Sequence, residues 1–373
     1  MGVRTKLATL ILMGAGVGVM AAPLADFRGG QIGRIEFKST TPDHRHALIH
    51  GRLGSPLVIY GDLLMPTNRV EGKVPVVVFS HGSEGAAPRY YDFWAKELNR
   101  NGFAVFVVNS FKPRTIGVTT GAAQLTFNIT GNISDSVHAL KLLATHPKID
   151  SSRIFHMGWS LGGAVAQDAA FPSYSRPILG TSDAKWAGSI ALYGGCNIVR
   201  RVDHNAPNPG PLLMMLAELD DNTPAANCVT YAMKLAASGS NVAFKVYEGA
   251  YHDWDTDFDH RVNHGIFSDC DIEIKLTPGA SYGAGFDFRA GKAILNGSDE
   301  GVAIRSCQKM SSVIVRGNRK IRDQSLKDVL EFLRQPSVDS AAVATPAAAE
   351  GRQAVDKRTE ELLREMAPGG SKK

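Results

Sequence analysis

The chain has 373 residues, 44% apolar and 21% charged, a balance that supports one substantial buried core and excludes a wholly disordered polypeptide. Its net charge of +5 is small for this length, and part of it comes from Arg4, Lys6, Lys372 and Lys373 at the extreme ends. The other basic residues are spread among acidic ones, which excludes the stripe expected of a nucleic-acid binder.

The first residues read as an export signal. Arg4 and Lys6 give a basic start, Leu7 to Met20 form an apolar stretch, and small residues at Val19 and Ala21 predict cleavage after Ala21. The stretch is shorter than the ~20 residues that span a bilayer, it contains glycines, and no cysteine near the cut invites a lipid. No later segment is long and apolar enough to cross a membrane. The expectation is an exported mature chain, periplasmic or secreted, with no stable membrane insertion.

Arg34 to Thr40 predicts an antiparallel edge strand. From there apolar runs alternate with helical patterns, the signature of an α/β fold with a mostly parallel sheet covered by helices on both faces. Strands are expected over Pro56 to Leu64, Val74 to Phe79, Phe103 to Asn109, Arg153 to Gly158, Gly188 to Tyr193, Leu212 to Ala217 and Val242 to Glu248. Tyr90 to Asn101, Asn132 to His146 and Leu161 to Ala170 carry apolar residues at three-to-four spacing and read as helices. Residues 255–322, rich in Gly, Asp and aromatics, read as an insertion near the top of the sheet, overhanging it rather than adding a regular layer. Asp323 to Gln335, with Leu326, Val329, Leu330 and Leu333 on one stripe, closes a domain spanning 27–335. Residues 336–373 begin as an Ala-rich low-complexity linker and end in a charged stretch, Arg352 to Met366, and read as a disordered tail.

His44, His46 and His50 share a spacing that could line one face, but no acidic or sulfur ligand accompanies them. They read as a polar loop, and no metal or other cofactor is expected.

Gly158-Trp159-Ser160-Leu161-Gly162 matches the nucleophile-elbow pattern, with an apolar strand leading in and a small-residue helix leading out. A serine hydroxyl attacks only when a base takes its proton, and the base needs a carboxylate to orient it. On this fold the chain order is serine, acid, histidine. Glu218-Leu219-Asp220-Asp221-Asn222-Thr223-Pro224 follows a strand and supplies carboxylates. Gly249-Ala250-Tyr251-His252 follows the next and supplies the base, with His260 a more distant choice. Donors for a developing oxyanion are expected from the amide of Leu161 and from Ser83 in Ser80-His81-Gly82-Ser83-Glu84-Gly85.

Together with Asn109-Ser110-Phe111-Lys112-Pro113-Arg114 and Gly249-Ala250-Tyr251-His252-Asp253, these segments resemble the dienelactone hydrolase-related branch of the α/β-hydrolase fold over about residues 56 to 255. The resemblance implies hydrolysis of an ester or related acyl bond in a small molecule. Its spacing before Thr223-Pro224 places the acid at Asp220, leaving Asp221 to face solvent or cap the next helix. Dienelactone hydrolases proper carry cysteine at the elbow, where this chain has Ser160, so general ester hydrolysis is expected rather than a dienelactone substrate. A peptidase or amidase with the same three residues, and a binding protein that has kept the fold without turnover, are the competing readings.

Arg114 lies at the same sheet edge, where a guanidinium could bind an acidic group of substrate or hold the loop through an ion pair. In an oxidising compartment the four cysteines permit three connectivities. Cys196 and Cys228 sit beyond neighbouring strands, whereas Cys270 and Cys307 bracket the insertion, so the pairs Cys196 with Cys228 and Cys270 with Cys307 are expected.

Overall fold

The computed structural model describes residues 23–335 except 69–70, 203–207, 209, 278 and 281. The expected signal segment and the tail lie outside the described residues. In chain order the elements are β1 (Gly33–Thr40), α1 (Arg45–Ile49), β2 (Pro56–Leu64), β3 (Val74–Ser80), α2 (Pro88–Arg100), β4 (Ala104–Asn109), α3 (Thr130–Leu143), β5 (Ile149–Trp159), α4 (Leu161–Ala169), α5 (Pro172–Leu179) and β6 (Gly188–Leu192). There follow β7 (Ile198–Val202), β8 (Leu212–Ala217), α6 (Ala225–Ala237), β9 (Val242–Tyr247), β10 (Asp259–Ile266), β11 (Ile272–Leu276), β12 (Gly285–Asp287), β13 (Lys292–Ile294), α7 (Gly297–Cys307), β14 (Lys309–Arg316) and α8 (Arg319–Arg334).

Eight strands form one sheet in the order β1-β2-β4-β3-β5-β6-β8-β9. The first two run antiparallel to their neighbours and the remaining six are mutually parallel. Parallel strands with both faces covered need apolar residues at every position, and β3 reads Val-Pro-Val-Val-Val-Phe-Ser accordingly. Its Val76 and Val78 enter the core beneath α3 to α6, while Val77 and Phe79 enter the one beneath α2 and α8. Pro75, which has no amide to donate, sits where the β3–β5 register shifts, a position that tolerates it.

The insertion departs from the irregular overhang expected of it. β10 and β14 pair as an antiparallel ribbon, and β11, β12 and β13 join β7 in a second sheet ordered β13-β12-β11-β7. Its strands are short, and the partner of β11 lies some seventy residues upstream, so neither periodicity nor local turn chemistry reveals the pairing. Disulfides join Cys196 to Cys228 and Cys270 to Cys307. The first ties the loop after β6 to α6, and the second closes the insertion on itself.

Candidate active site

β5 ends at Trp159 and α4 begins at Leu161, so Ser160 is the single residue that turns the chain, at φ 54° and ψ −119°. That conformation is costly for a residue with a Cβ and is held here by its surroundings. The Ser160 amide donates to Leu192 O at 2.9 Å. Gly158 and Gly162 allow the elbow to close, since a Cβ on Gly158 would strike the carbonyl of Gly162 and one on Gly162 the carbonyl of Ser80.

Two further loops bring their side chains to this point from the carboxyl ends of β8 and β9. They are stitched together by the Leu219 amide donating to Ala250 O at 2.8 Å and the Gly249 amide donating to Glu218 Oε2 at 2.7 Å. His252 Nε2 lies 2.9 Å from Ser160 Oγ, and Nδ1 lies 2.7 Å from Asp220 Oδ2. In the neutral imidazole, Nδ1–H donates to the carboxylate and Nε2 is left to accept from the hydroxyl. The remaining lone pairs of Asp220 accept the amides of Asn222 at 2.9 Å and Thr223 at 2.8 Å and the Thr223 hydroxyl at 2.8 Å. The buried carboxylate is therefore fixed in position and charge-compensated by donors.

Asp221 is exposed, as expected, but it caps no helix: its carboxylate accepts the amide of Ile314 in β14, and α6, preceded by Pro224, has no side-chain cap. Leu161, at the first position of α4, has no intrahelical acceptor for its amide. Ser83 lines the pocket beside Ser160, its loop held by Thr119 N donating to Ser83 O at 2.7 Å and by its own hydroxyl donating to Gln124 Oε1 at 2.9 Å.

Arg114 requires a correction as a substrate-binding residue. Its five N–H donors reach Asp135 Oδ1 and Oδ2 at 2.8 and 2.6 Å, Thr41 Oγ1 at 2.9 Å, and the carbonyls of Ser110 and Thr40 at 2.8 and 3.1 Å. Asp135 is fully buried on α3. The guanidinium is thus consumed in bracing the loop after β4 against α3, with no donor left for a ligand.

His44 caps α1 by accepting the amide of Ala47 at 3.0 Å, and His50 Nδ1 donates to His46 O at 2.8 Å. These histidines stabilise a short helix.

Several neighbours of His252 were not anticipated. Asn222 Nδ2 lies 3.3 Å from Nε2, and the Tyr193 ring packs edge-on at 4.7 Å. The Tyr193 hydroxyl and Trp94 Nε1 donate to the buried Asp255 carboxylate at 2.7 and 2.5 Å. Asp253 Oδ1 stands 3.8 Å from Nε2. Only the quoted Gly249 to Asp253 segment pointed to this cluster. Burial pushes the imidazole toward neutrality, but the carboxylates of Asp220, Asp253 and Asp255 outweigh it and raise His252 to about 9. Burial in turn lifts Asp253 to about 6, against the pull of His252.

Two cavities meet at Ser160. An outer one of about 60 Å³ lies under the β10–β14 ribbon, walled by Tyr90, Asp253, Val262, His264, Val313 and Val315. An inner one of about 220 Å³ is walled by Phe127, Ile129, Phe267 and Ile304 on one side and by polar residues that include Arg45 and Arg200.

The model of the dienelactone hydrolase family matches residues 59–264, which is more than half of the chain and contains the elbow and both partner loops. The chain belongs to the dienelactone hydrolase family. It therefore has the α/β-hydrolase fold. A comparison with curated proteins finds no match. Among solved structures it is similar to an esterase from Thermogutta terrifontis with propionate bound, at 14% identity and a TM-score of 0.42 over 53% of this chain and 81% of that one. It is also similar to a Klebsiella pneumoniae protein assigned to the dienelactone hydrolases, at 17% identity and a TM-score of 0.38 over 60% of this chain and 88% of that one.

Proposed function

We propose that this family member is an exported serine hydrolase that cleaves carboxylic esters of small molecules through an acyl-enzyme. The observation that carries the reading is the unbroken chain of hydrogen bonds from Ser160 Oγ through His252 to Asp220, at 2.9 and 2.7 Å. His252 takes the hydroxyl proton as Ser160 attacks the acyl carbon, and Asp220 holds the ring and balances the imidazolium. The amides of Leu161 and Ser83 receive the oxyanion. Collapse expels the alcohol with the proton from Nε2, and water then repeats the sequence to release the acid. The apolar side of the inner cavity, formed by Phe127, Ile129, Phe267 and Ile304, suits an acyl chain.

Export is supported by the basic and then apolar start of the chain and by two disulfides, which persist in oxidising compartments. Residues 1–21 are read as the signal, 27–335 as the hydrolase domain with its insertion, and 336–373 as a tail.

The test joins a serine-reactive phosphonate to a panel of chromogenic esters of rising acyl length. Ser160 is expected to carry the label, and Ser160→Ala to lose both labelling and turnover with an unchanged circular dichroism spectrum. Label on a different serine, or a panel of esters left intact while amides are cleaved, would overturn the reading.

A further inference from the structure

We infer that Asp253 sets substrate choice in the outer pocket, turning away esters whose leaving alcohol carries a negative charge and favouring those whose alcohol is cationic. The inference rests on the ester-hydrolase reading above and specifies its substrate class.

Three carboxylates surround His252, and they differ in what they do. Asp220 takes Nδ1 and is saturated by backbone and hydroxyl donors. Asp255 is saturated by Trp94 and Tyr193. Asp253 lies on the opposite edge of the ring, 3.8 Å from Nε2, beyond hydrogen-bond reach of it. It is nine-tenths buried, at 9% exposure, and still forms part of the pocket wall together with Ser160. Its backbone is left-handed, at φ 60°. The other acidic residue lining this cavity, Glu84, is paired with Arg89 at 3.3 Å. No lysine or arginine is among the described residues lining it.

The side of the site facing Nε2 is the side the alcohol leaves from. When the tetrahedral adduct collapses, the carbon–oxygen bond to the alcohol breaks and its electron pair stays on that oxygen. The proton taken from Ser160 passes to it from Nε2, so the departing group must lie against His252. The outer cavity contains His252 and Asp253 in its wall, whereas the inner one contains neither. A charge on the alcohol would therefore sit within several ångströms of the Asp253 carboxylate in a partly dehydrated site. There an interaction between unit charges alters a rate by about tenfold to hundredfold. Burial holds Asp253 near 6, so it is ionised at pH 8.

The experiment uses esters of one short acid with three alcohols of matched size, ending in trimethylammonium, tert-butyl or carboxylate. kcat/KM is measured at pH 8 and low salt on the full protein, on Asp253→Asn and on Asp253→Gly, both residue types being tolerant of this left-handed backbone. The native protein is expected to turn over the carboxylate ester at least about tenfold more slowly than the tert-butyl ester, with the trimethylammonium ester equal or faster. Both variants are expected to bring the three within about threefold. A spread already within about twofold in the native protein, or one that survives in the folded variants, overturns the inference. If instead all three esters are inert and the phosphonate does not label Ser160, it is the ester-hydrolase reading that fails.

Discussion

The carboxylate of Asp221 accepts the backbone amide of Ile314 with its two oxygens at 3.0 and 3.3 Å, joining the loop that carries Asp220 to the ribbon that roofs the outer pocket. Adjacent carboxylates thus have separate tasks, one turned to His252 and one to the insertion. Asp220→Asn should lower turnover by about 10⁴, because the amide leaves the imidazole in the wrong tautomer. Asp221→Asn keeps an oxygen for Ile314 and should stay within about tenfold of the native rate, an interval of ~1.4 kcal/mol in the barrier. Steady-state kinetics on the pair decides, and a reversed order would move the acid to Asp221.

Arg114→Ala should cost stability rather than specificity. It would strand the Asp135 carboxylate, fully buried and doubly bonded to that guanidinium, and breaking such a pair costs about 3–5 kcal/mol. Denaturant unfolding should register the whole loss. Anionic and neutral esters should lose turnover equally in the folded fraction, and a selective loss for anionic esters would return Arg114 to the ligand.

The pH dependence follows from the groups that face His252. Asp220, Asp253 and Asp255 raise it, burial lowers it, and His264 on β10 lowers it only if charged, which burial prevents down to about 4. A base must be neutral to accept the serine proton, so kcat/KM should rise with pH through an alkaline limb near 9. Asp253→Asn removes one of the raising charges and should move that limb to lower pH. A native limb below pH 7 would contradict this arrangement of charges.

Stability should fall on the acid side for a related reason. Burial lowers His81 to about 4 and His156 to about 3, while both return to about 6.5 in the unfolded chain. The unfolded state therefore binds more protons between those values, and stability rises with pH across that window. Their contribution is complete above about pH 6.5 and is lost as the pH drops toward 4, at ~1.4 kcal/mol per unit of separation for each. Melting temperatures recorded from pH 8 down to 5 should decline steadily below 6.5, and a flat profile would count against the buried neutral rings.

The middle of the main sheet could be read from the sequence because its central strands are buried on both faces, leaving apolar runs such as Val74–Ser80. Ser160, Asp220 and His252 could be singled out because each lies in the turn or loop after a strand, β5, β8 or β9, and chain order restricts which residues can meet. What surrounds them was not readable in the same way. Tyr193, Trp94 and Asp255 converge from three separate elements, and no period in the chain encodes that meeting. The same holds for β7 pairing with β11. Arg114 shows the opposite limit: its place at the sheet edge was visible, but the buried Asp135 that claims it lies on a helix whose inward face reads as ordinary polar sequence.

The bond between Cys270 and Cys307 encloses an exposed segment, Arg289-Ala290-Gly291-Lys292, that runs from the turn after β12 to the first residue of β13. Trypsin cutting there would sever the polypeptide without separating its halves. Both strands of the ribbon over the pocket lie outside the closed loop, β10 before Cys270 and β14 after Cys307, and the sulfur bridge would keep the two pieces in one molecule. A clipped preparation would run as a single band until a reductant is added, so its integrity has to be judged on gels run both ways.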